Sequence, residues 1–150
     1  MPVPSTTTPS WSEHAQRVLL GAGHQRGGAR ARIIDLLARQ SCALSAIEID
    51  DALRAEGRPI GRASIYRVLD LLLEHRLVER LAIDHGHARF ERVEPDGHHH
   101  HHLLCDRCGR LVAFDDPDLE RAIKRLSTRL DLHVEHHDVL LHGACAACAD

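Results

Sequence analysis

The stretch that decides the fold is RASIYRVLDLLLEHRLVERLAI, residues 62–83, in which an amphipathic helix leads directly into a strand. Its apolar residues repeat at the spacing i, i+3, i+4, i+7, which places them on one face of an α-helix. These residues are Ile65, Val68, Leu69 and Leu72. The run LVERLAI then predicts a strand, and ARFERV, after the turn DHGH, predicts a second one. The segment therefore predicts a helix followed by a β-hairpin.

Upstream of this helix the sequence predicts three more helices, two of which begin with a capping box. In each box, Ser10 with Glu13 and Ser45 with Glu48, a serine precedes a glutamate by three residues, so each side chain caps the other's backbone N–H. The first helix covers WSEHAQRVLL, the second covers ARARIIDLLARQ, and the third ends at Gly57. Helices followed by a hairpin are typical of a winged helix-turn-helix domain, whose last helix, the reading helix, enters the DNA major groove.

The polar face of the predicted reading helix carries side chains that bind nucleic acids. Arginine contacts phosphates or guanine edges, and serine and tyrosine hydroxyls bond to phosphates. The candidate DNA-binding residues are Arg62, Ser64, Tyr66 and Arg67. An ordinary solvent-exposed helix face would carry similar residues, so the pattern alone leaves both interpretations open.

Charge is distributed unevenly along the chain. Residues 11–93 hold 13 arginines against 11 acidic residues, a net charge of +2, whereas residues 94–150 have a net charge of −5. The second part also holds 9 of the 14 histidines. This asymmetry indicates that the two parts have different tasks, although a charge of +2 does not by itself establish nucleic-acid binding.

Composition also bounds the setting in which the protein works. Residues 1–10, MPVPSTTTPS, lack the basic-then-apolar pattern of a signal peptide, and we expect them to form a disordered tail. No run approaches the roughly 18 apolar residues of a membrane span. We therefore expect a cytoplasmic protein with no membrane partner. In that reducing compartment, five cysteines favour metal or redox roles over disulfides.

The segment EPDG, residues 94–97, predicts a hinge between a domain of residues 11–93 and a domain of residues 98–150. Beyond it, HHHHLLC and RLVAF predict a hairpin, Asp116 and Pro117 predict a helix start, and LHVEHHDVLLHG predicts a last strand. The helix is expected to place four apolar residues on one face: Leu119, Ile123, Leu126 and Leu130. This small α/β unit leaves an open sheet edge, which pairing with a second copy would bury.

Two cysteine pairs of identical spacing stand in the second part, Cys105-x-x-Cys108 and Cys145-x-x-Cys148. Four thiolates suit tetrahedral zinc, and each spacing lets one turn present two sulfurs to one ion. A redox dithiol and disulfides are the alternatives. Cys42 stands alone in the first part and is expected to be a buried small apolar residue.

Five consecutive histidines precede the first cysteine pair in GHHHHHLLCDRC, residues 97–108. Successive side chains of a strand point to opposite faces. His98, His100 and His102 would then face one way, and the two histidines between them the other, so one run would supply two metal sites. A purification tag and a flexible metal-binding tract are the alternatives, but neither needs the apolar pair and cysteine pair that follow.

The motifs of the whole chain together resemble the ferric uptake regulator family of bacterial metal-dependent repressors. They are IGRASIYRVLDLL, RFE, HHHHLLCDRCG, DLE at 118–120, HHDVLLHG and CAAC, and their order covers roughly residues 14–148. The resemblance implies an α+β fold, with a winged helix-turn-helix DNA-binding domain followed by a small α/β dimerisation domain. It also implies a homodimer that binds palindromic double-stranded operator DNA when loaded with metal.

Three metal positions follow from this resemblance. The structural zinc position is matched in full by Cys105, Cys108, Cys145 and Cys148. A second position, within the dimerisation domain, is matched in full by His99, His101, Glu120 and His137. The regulatory position, between the domains, is matched by Glu91, His100 and His102.

The chain departs from the family pattern at some positions. Two usual regulatory ligands, a histidine and an acidic residue, are replaced by Ala43 and Ala113. Nearby residues that could substitute for them are Glu79, Asp84, His85 and His87. A threonine that relatives often have falls at Gly27 or Gly28, so a phosphate contact is expected to be lost.

Histidine and carboxylate ligands suit Fe²⁺, Mn²⁺ or Zn²⁺ at the regulatory position. Zinc-sensing relatives often have a cysteine where this chain has Val93, so we expect iron-type control of metal uptake. A zinc-uptake regulator and a peroxide sensor are the alternatives, and the missing acid at Ala113 counts against the peroxide sensor. A metal-storage protein would not need a Tyr-Arg reading helix. No His-Glu-x-x-His motif indicates a metallohydrolase, so we expect neither an enzyme nor a small-molecule substrate.

Overall fold

The structure is a computed structural model that describes residues 9–81 and 87–149. The chain divides between His98 and His99 into two compact units, which we call the N-terminal unit and the C-terminal unit. Most of the predicted tail, Asp84, His85 and most of the DHGH turn lie outside the described residues. No helix in the described ranges is long and apolar enough to cross a membrane.

Within its described residues, the N-terminal unit contains four helices and a three-stranded antiparallel sheet. The helices are α1 (Trp11–Gly21), α2 (Gly28–Arg39), α3 (Ala46–Ala55) and α4 (Arg62–Glu74). The strands are β1 (Leu44–Ser45), β2 (Val78–Leu81) and β3 (Arg89–Arg92), in the order β1-β3-β2. Both predicted capping boxes are present, and the predicted hairpin is formed by β2 and β3. Strand β1 was not predicted, because two residues are too short to show a period of two.

The core of this unit is almost entirely aliphatic, and the predicted face of α4 lies at its centre. Ile65, Leu69 and Leu72 are fully buried there, packed among apolar residues of all four helices. Trp11 is also buried, and its Nε1 donates to the carbonyl oxygen of Leu77 at 3.2 Å. This hydrogen bond fastens the start of α1 to the segment that follows α4.

A buried carboxylate joins α3 to the start of α4. Asp50 is only 4% exposed, accepts a 2.9 Å hydrogen bond from Nε of Arg54, and lies 3.6 Å from Nη2 of Arg62. A carboxylate removed from water requires charged or hydrogen-bonding partners, and two guanidinium groups supply them here. Asp50 therefore helps to fix the angle between the two helices of the helix-turn-helix.

From residue 99 to residue 149, the C-terminal unit forms a three-stranded sheet with one helix. Its elements are β4 (His101–Cys105), β5 (Leu111–Phe114), α5 (Pro117–Arg129) and β6 (Leu140–Gly143), and the strand order is β5-β4-β6. Strand β4 pairs antiparallel with β5, as predicted, and parallel with β6. The predicted start of α5 is confirmed, since the Asp116 carboxylate accepts from two backbone N–H groups of the first turn.

Two predicted strands are shorter than expected. The last strand begins only at Leu140, and residues 133–139 have no regular structure. Strand β4 begins at His101, so the first three histidines of the run precede it, and the predicted strand over the whole run was wrong. The reason is that β5 and β6 do not extend alongside the first three histidines. The pairing with β5 starts opposite His101, and the pairing with β6 starts opposite His102. Strand pairing thus includes only the last two histidines, although His99 lies in the same cluster as His101.

One burial expectation was also wrong. Cys42 is half-buried rather than buried, because it lies in the loop before β1 and not in the core cluster. The predicted apolar face of α5 is not covered by its own chain: Leu126 is 43% exposed and Leu130 is 61% exposed. A single helix on a three-stranded sheet offers too little surface to cover that face.

Replacement of Asp50 by alanine tests whether this carboxylate stabilises the helix-turn-helix. We expect Asp50→Ala to lower the free energy of unfolding by about 1–2 kcal/mol, because it removes charged hydrogen bonds whose arginine partners are largely exposed. Urea unfolding followed by the fluorescence of Trp11, the only tryptophan, measures the change. The matched control is Asp51→Ala, at the exposed neighbouring position. Equal stability of the two variants would show that Asp50 does not hold the two helices.

Candidate metal centres and nucleic-acid face

The two cysteine pairs meet in the C-terminal unit. The four Sγ atoms of Cys105, Cys108, Cys145 and Cys148 all lie within 4.8 Å of one another. The parallel pairing of β4 with β6 sets Cys105 opposite Gly143, two residues before the second pair. Sγ of Cys108 lies 3.8 Å from Sγ of Cys145, which matches the roughly 3.8 Å between sulfurs bound tetrahedrally at about 2.3 Å. All five cysteines of the chain are thiols, so the disulfide alternative has no support here.

The surroundings of these thiols push their pKa values in opposite directions. The backbone N–H of Cys145 donates to Sγ of Cys105 at 3.3 Å, and this bond, with others from the first cysteine turn, lowers the pKa of Cys105 to about 6. Hydrogen bonding to the sulfurs of Cys145 and then Cys108 raises the pKa of Cys148 to about 12. Cys105 is therefore stabilised as a thiolate, whereas the close approach of the sulfurs disfavours ionisation of all four cysteines at once. A divalent cation bound by all four would remove that conflict.

A second cluster joins three histidines to one carboxylate in the same unit. The candidate ligand atoms of His99, His101, Glu120 and His137 also lie within 4.8 Å of one another. Nε2 of His101 donates to Glu120 at 2.5 Å, and Nε2 of His137 lies 2.9 Å from the same carboxylate. The hydrogen bond from His101 is the main reason that the pKa of Glu120 is lowered. Three imidazoles and an ionised carboxylate form a donor set suited to Fe²⁺, Mn²⁺ or Zn²⁺.

These ligands come from separate elements. His101 begins β4, Glu120 lies in the first turn of α5, and His137 lies in the irregular segment before β6. His99 precedes β4, and its Nε2 lies 3.1 Å from Nε2 of His137. The cap at Asp116 thus has a second effect, because the start of α5 determines where the carboxylate of Glu120 is placed.

The predicted regulatory residues are distributed over both units. Glu91 lies on β3 of the N-terminal unit and is 6% exposed, whereas His102 lies on β4 of the C-terminal unit and is 2% exposed. His100 is half-buried just before β4. A carboxylate and an imidazole are costly to bury, so their burial indicates a specific role.

The structure also bears on the ligands that the chain lacks. Ala43 is 2% exposed and Ala113 is half-buried, and neither side chain has a ligand atom. Among the candidate replacements, Glu79 pairs directly with Glu91 across strands β2 and β3, so the two carboxylates share one face of the sheet. His87 is exposed, two residues before β3. Glu79 is therefore the replacement that the strand register favours.

The predicted DNA-binding residues all lie on α4. Arg62, Tyr66 and Arg67 are exposed and Ser64 is half-buried. Nη2 of Arg67 donates to Oγ of Ser64 at 3.1 Å, which orients the guanidinium along the helix. Tyr66 is 47% exposed although it is a large aromatic residue. The second helix of the helix-turn-helix thus presents a hydroxyl-bearing ring and two guanidinium groups to solvent.

Comparison with known proteins decides which family this architecture represents. The model of the ferric uptake regulator family matches residues 22–142. The chain belongs to the ferric uptake regulator family. The resemblance drawn from the sequence motifs is thereby confirmed, and so is the α+β fold class with its winged-helix and dimerisation domains.

Individual members of the ferric uptake regulator family agree with this assignment. The ferric uptake regulation protein of Bordetella parapertussis is 36% identical over 120 residues, which cover 79% of this chain and 85% of that protein. The crystal structure of the Vibrio cholerae ferric uptake regulator has a TM-score of 0.76 at 30% identity, covering 87% of this chain and 98% of that one. The Pseudomonas aeruginosa ferric uptake regulator with manganese has a TM-score of 0.71 at 26% identity, covering 88% and 98%.

Some polar contacts between distant segments of the N-terminal unit were not predicted from the sequence. One example is Asp50 with Arg62, and another is His24 with His75, whose Nε2 atoms lie 3.1 Å apart across 51 residues of sequence. Neither contact follows a helical or strand period. Only the folded positions of α1, α3 and α4 bring these side chains together.

Proposed function

We propose that the protein is an iron-type, metal-responsive transcriptional repressor that binds palindromic operator DNA as a metal-loaded homodimer in the cytoplasm. The observation that carries the proposal is that one chain of this family joins a helix-turn-helix with an exposed Tyr-Arg face to a unit with two complete metal-ligand clusters. In this proposal residues 11–93 form the DNA-binding domain, residues 94–97 the hinge, and residues 98–150 the dimerisation domain.

The four-cysteine cluster is proposed to hold a structural Zn²⁺. Sulfur ligands at tetrahedral spacing select zinc over harder cations, and the site ties the turn after β4 to the segment after β6. Binding at such a site contributes about 10 kcal/mol to folding in zinc-finger peptides. A unit with so few buried apolar residues requires a contribution of that kind.

The C-terminal unit also carries the surface that a second copy would cover. Large apolar side chains are exposed on both edge strands, on α5 and just after it: Val112, Leu126, Leu130, Leu132 and Leu141. Monomeric proteins rarely expose large contiguous apolar patches, and we propose that these side chains form one. A two-fold interface would bury the same face of both copies, which supports the homodimer.

The regulatory site is proposed to consist of Glu91, His100 and His102, with Glu79 replacing a lost family ligand. A bound divalent ion would supply positive charge that these carboxylate and imidazole ligands share. Because Glu91 follows the reading helix through the hairpin and the histidines lead into the dimerisation domain, ligation would favour one arrangement of the two DNA-binding domains. The names of the relatives and the sulfur-free ligand set both favour iron over zinc.

Replacement of a cysteine tests the structural zinc site. We expect Cys105→Ser and Cys148→Ser to lose one zinc per chain, to unfold the C-terminal unit and to abolish dimers, because three sulfurs hold zinc far less tightly. Zinc content and sedimentation equilibrium measure these effects. Cys42→Ser, outside the cluster, is the control and should keep both zinc and dimers. A Cys105→Ser/Cys148→Ser protein that stays dimeric with an unchanged Tm would rule out this role.

Alanine substitutions on α4 test the nucleic-acid face. With an operator selected from random duplexes by the metal-loaded protein, Arg67→Ala should cost roughly 1–3 kcal/mol if Arg67 contacts a base edge. A contact to phosphate alone would weaken binding to all sequences alike and reduce the salt dependence. Arg17→Ala, on the exposed side of α1, is the control. Unchanged operator affinity of a folded Tyr66→Ala/Arg67→Ala protein would remove α4 from the interface.

Paired substitutions in the histidine run test whether its members serve two sites. His100→Gln/His102→Gln should lose metal-stimulated operator binding but keep the ion bound by the cluster around Glu120. His99→Gln/His101→Gln should lose that ion, with a smaller effect on the metal response. Metal analysis and operator titrations with Fe²⁺, Mn²⁺ and Zn²⁺ under anaerobic conditions give both readouts. Identical losses in the two proteins would indicate one shared site and contradict the division.

A further inference from the structure

Two histidines outside the metal centres described above face each other in the N-terminal unit. His24 lies in the turn between α1 and α2, and His75 is the C-cap residue of α4. Their Nε2 atoms are 3.1 Å apart, their ring centroids are 5.1 Å apart, and the ring planes meet at 80°. Both residues are half-buried, so the pair is partly accessible to water.

This geometry fits two ligands of one metal ion. Nitrogens bound at about 2.0–2.1 Å in tetrahedral or octahedral geometry lie about 2.9–3.4 Å apart. The protein provides an internal comparison, because His99 and His137 of the cluster around Glu120 show the same Nε2 separation of 3.1 Å and a ring angle of 90°. The pair in the N-terminal unit thus repeats the arrangement of two histidines that belong to a complete ligand set.

We propose that His24 and His75 form a further metal site, in which both Nε2 atoms bind one divalent ion. Within the described residues the pair does not belong to a group of three or more ligands, so water completes the coordination. Two neutral imidazoles and water suit the later transition metals, Zn²⁺, Ni²⁺ and Cu²⁺, better than Mn²⁺ or Fe²⁺. With two protein ligands, the site binds more weakly than either four-ligand cluster and fills after them.

The position of the pair determines what the ion does. The start of α1 is already fastened beyond α4 by the hydrogen bond from Trp11 to Leu77. His24 follows the other end of α1, where its backbone N–H donates to the carbonyl oxygen of Leu19 at 3.0 Å. An ion shared with His75 would therefore fasten the second end of α1 to the end of α4. Because the unfolded chain lacks this pairing, binding would stabilise the N-terminal unit by mass action.

Zinc-dependent stability of the N-terminal unit tests the proposal without DNA. Trp11, the only tryptophan, is buried in this unit and reports its unfolding in the intact 150-residue chain. With the tighter sites already filled, further Zn²⁺ at micromolar concentration should raise the urea midpoint of the Trp11 signal until the site saturates. His24→Gln and His75→Gln should each abolish this rise, although a glutamine amide can still hydrogen-bond to the remaining histidine. His14→Gln, at a half-buried histidine of α1, is the matched control and should retain it.

Side-chain ¹H–¹⁵N correlation spectra of the wild-type protein give an independent readout. On the same Zn²⁺ titration, Nε2 of His24 and of His75 should shift together to the range of metal-bound nitrogen, with one saturation curve. If neither nitrogen shifts, or if the rise in midpoint persists in both glutamine variants, the pair is only an N–H···N hydrogen bond and the proposal is wrong. Because these measurements involve no operator, they can fail while the proposed regulatory function stands.

Discussion

The parallel register of β4 against β6 is the constraint on which the C-terminal unit depends. It sets Cys105 opposite Gly143, and the segment after β6 therefore delivers the second cysteine pair to the first. The same register brings the segment before β6 past the start of β4, where His137 meets His99 and the carboxylate of Glu120. One strand pairing of four residues thus assembles two ligand clusters, one at each of its ends.

Where β4 begins determines how the histidine run is divided. His101 and His102 are consecutive strand residues, so they point to opposite faces, and both are almost fully buried. One imidazole enters the cluster around Glu120, and the other is enclosed on the opposite face of the sheet. The histidines ahead of them lie outside the strand and take their positions from the chain after Gly97, whose φ of +79° is one that glycine adopts without strain. Consecutive identical residues therefore have different environments.

Local patterns made much of this fold predictable. The period of α4, the capping boxes at Ser10 and Ser45, and the Asp116-Pro117 helix start all depend on residues within one or two turns of each other, and all are present. Each Cys-x-x-Cys pair is local in the same way, and the presence of four thiols indicated a four-sulfur site. Features that depend on distant chain segments were not predictable: the two-residue strand β1, the late start of β6, and the contact of Asp50 with Arg62.

The cluster of three histidines and Glu120 also depends on distant chain segments, so local sequence patterns could not predict it. Strand alternation suggested two sites within the run, but nothing in spacing connected His99 to Glu120 or His137, and that grouping came only from the family resemblance. The structure shows why, since the cluster needs the turn into α5 and the irregular segment before β6 to converge. The four ligands of this cluster also differ in burial, because His101 is buried and the other three are half-buried.

The uncovered leucines of α5 have a consequence for how such a regulator would respond in a cell. If a second copy covers Leu126 and Leu130, association and folding of the C-terminal unit become one equilibrium, and the stability of each copy depends on how many others are present. The metal ligands of the C-terminal unit would then be brought together only when enough copies are present to associate. The concentration of metal at which the regulator responds would therefore depend on the abundance of the protein itself, which couples its own expression level to the sensitivity of the response.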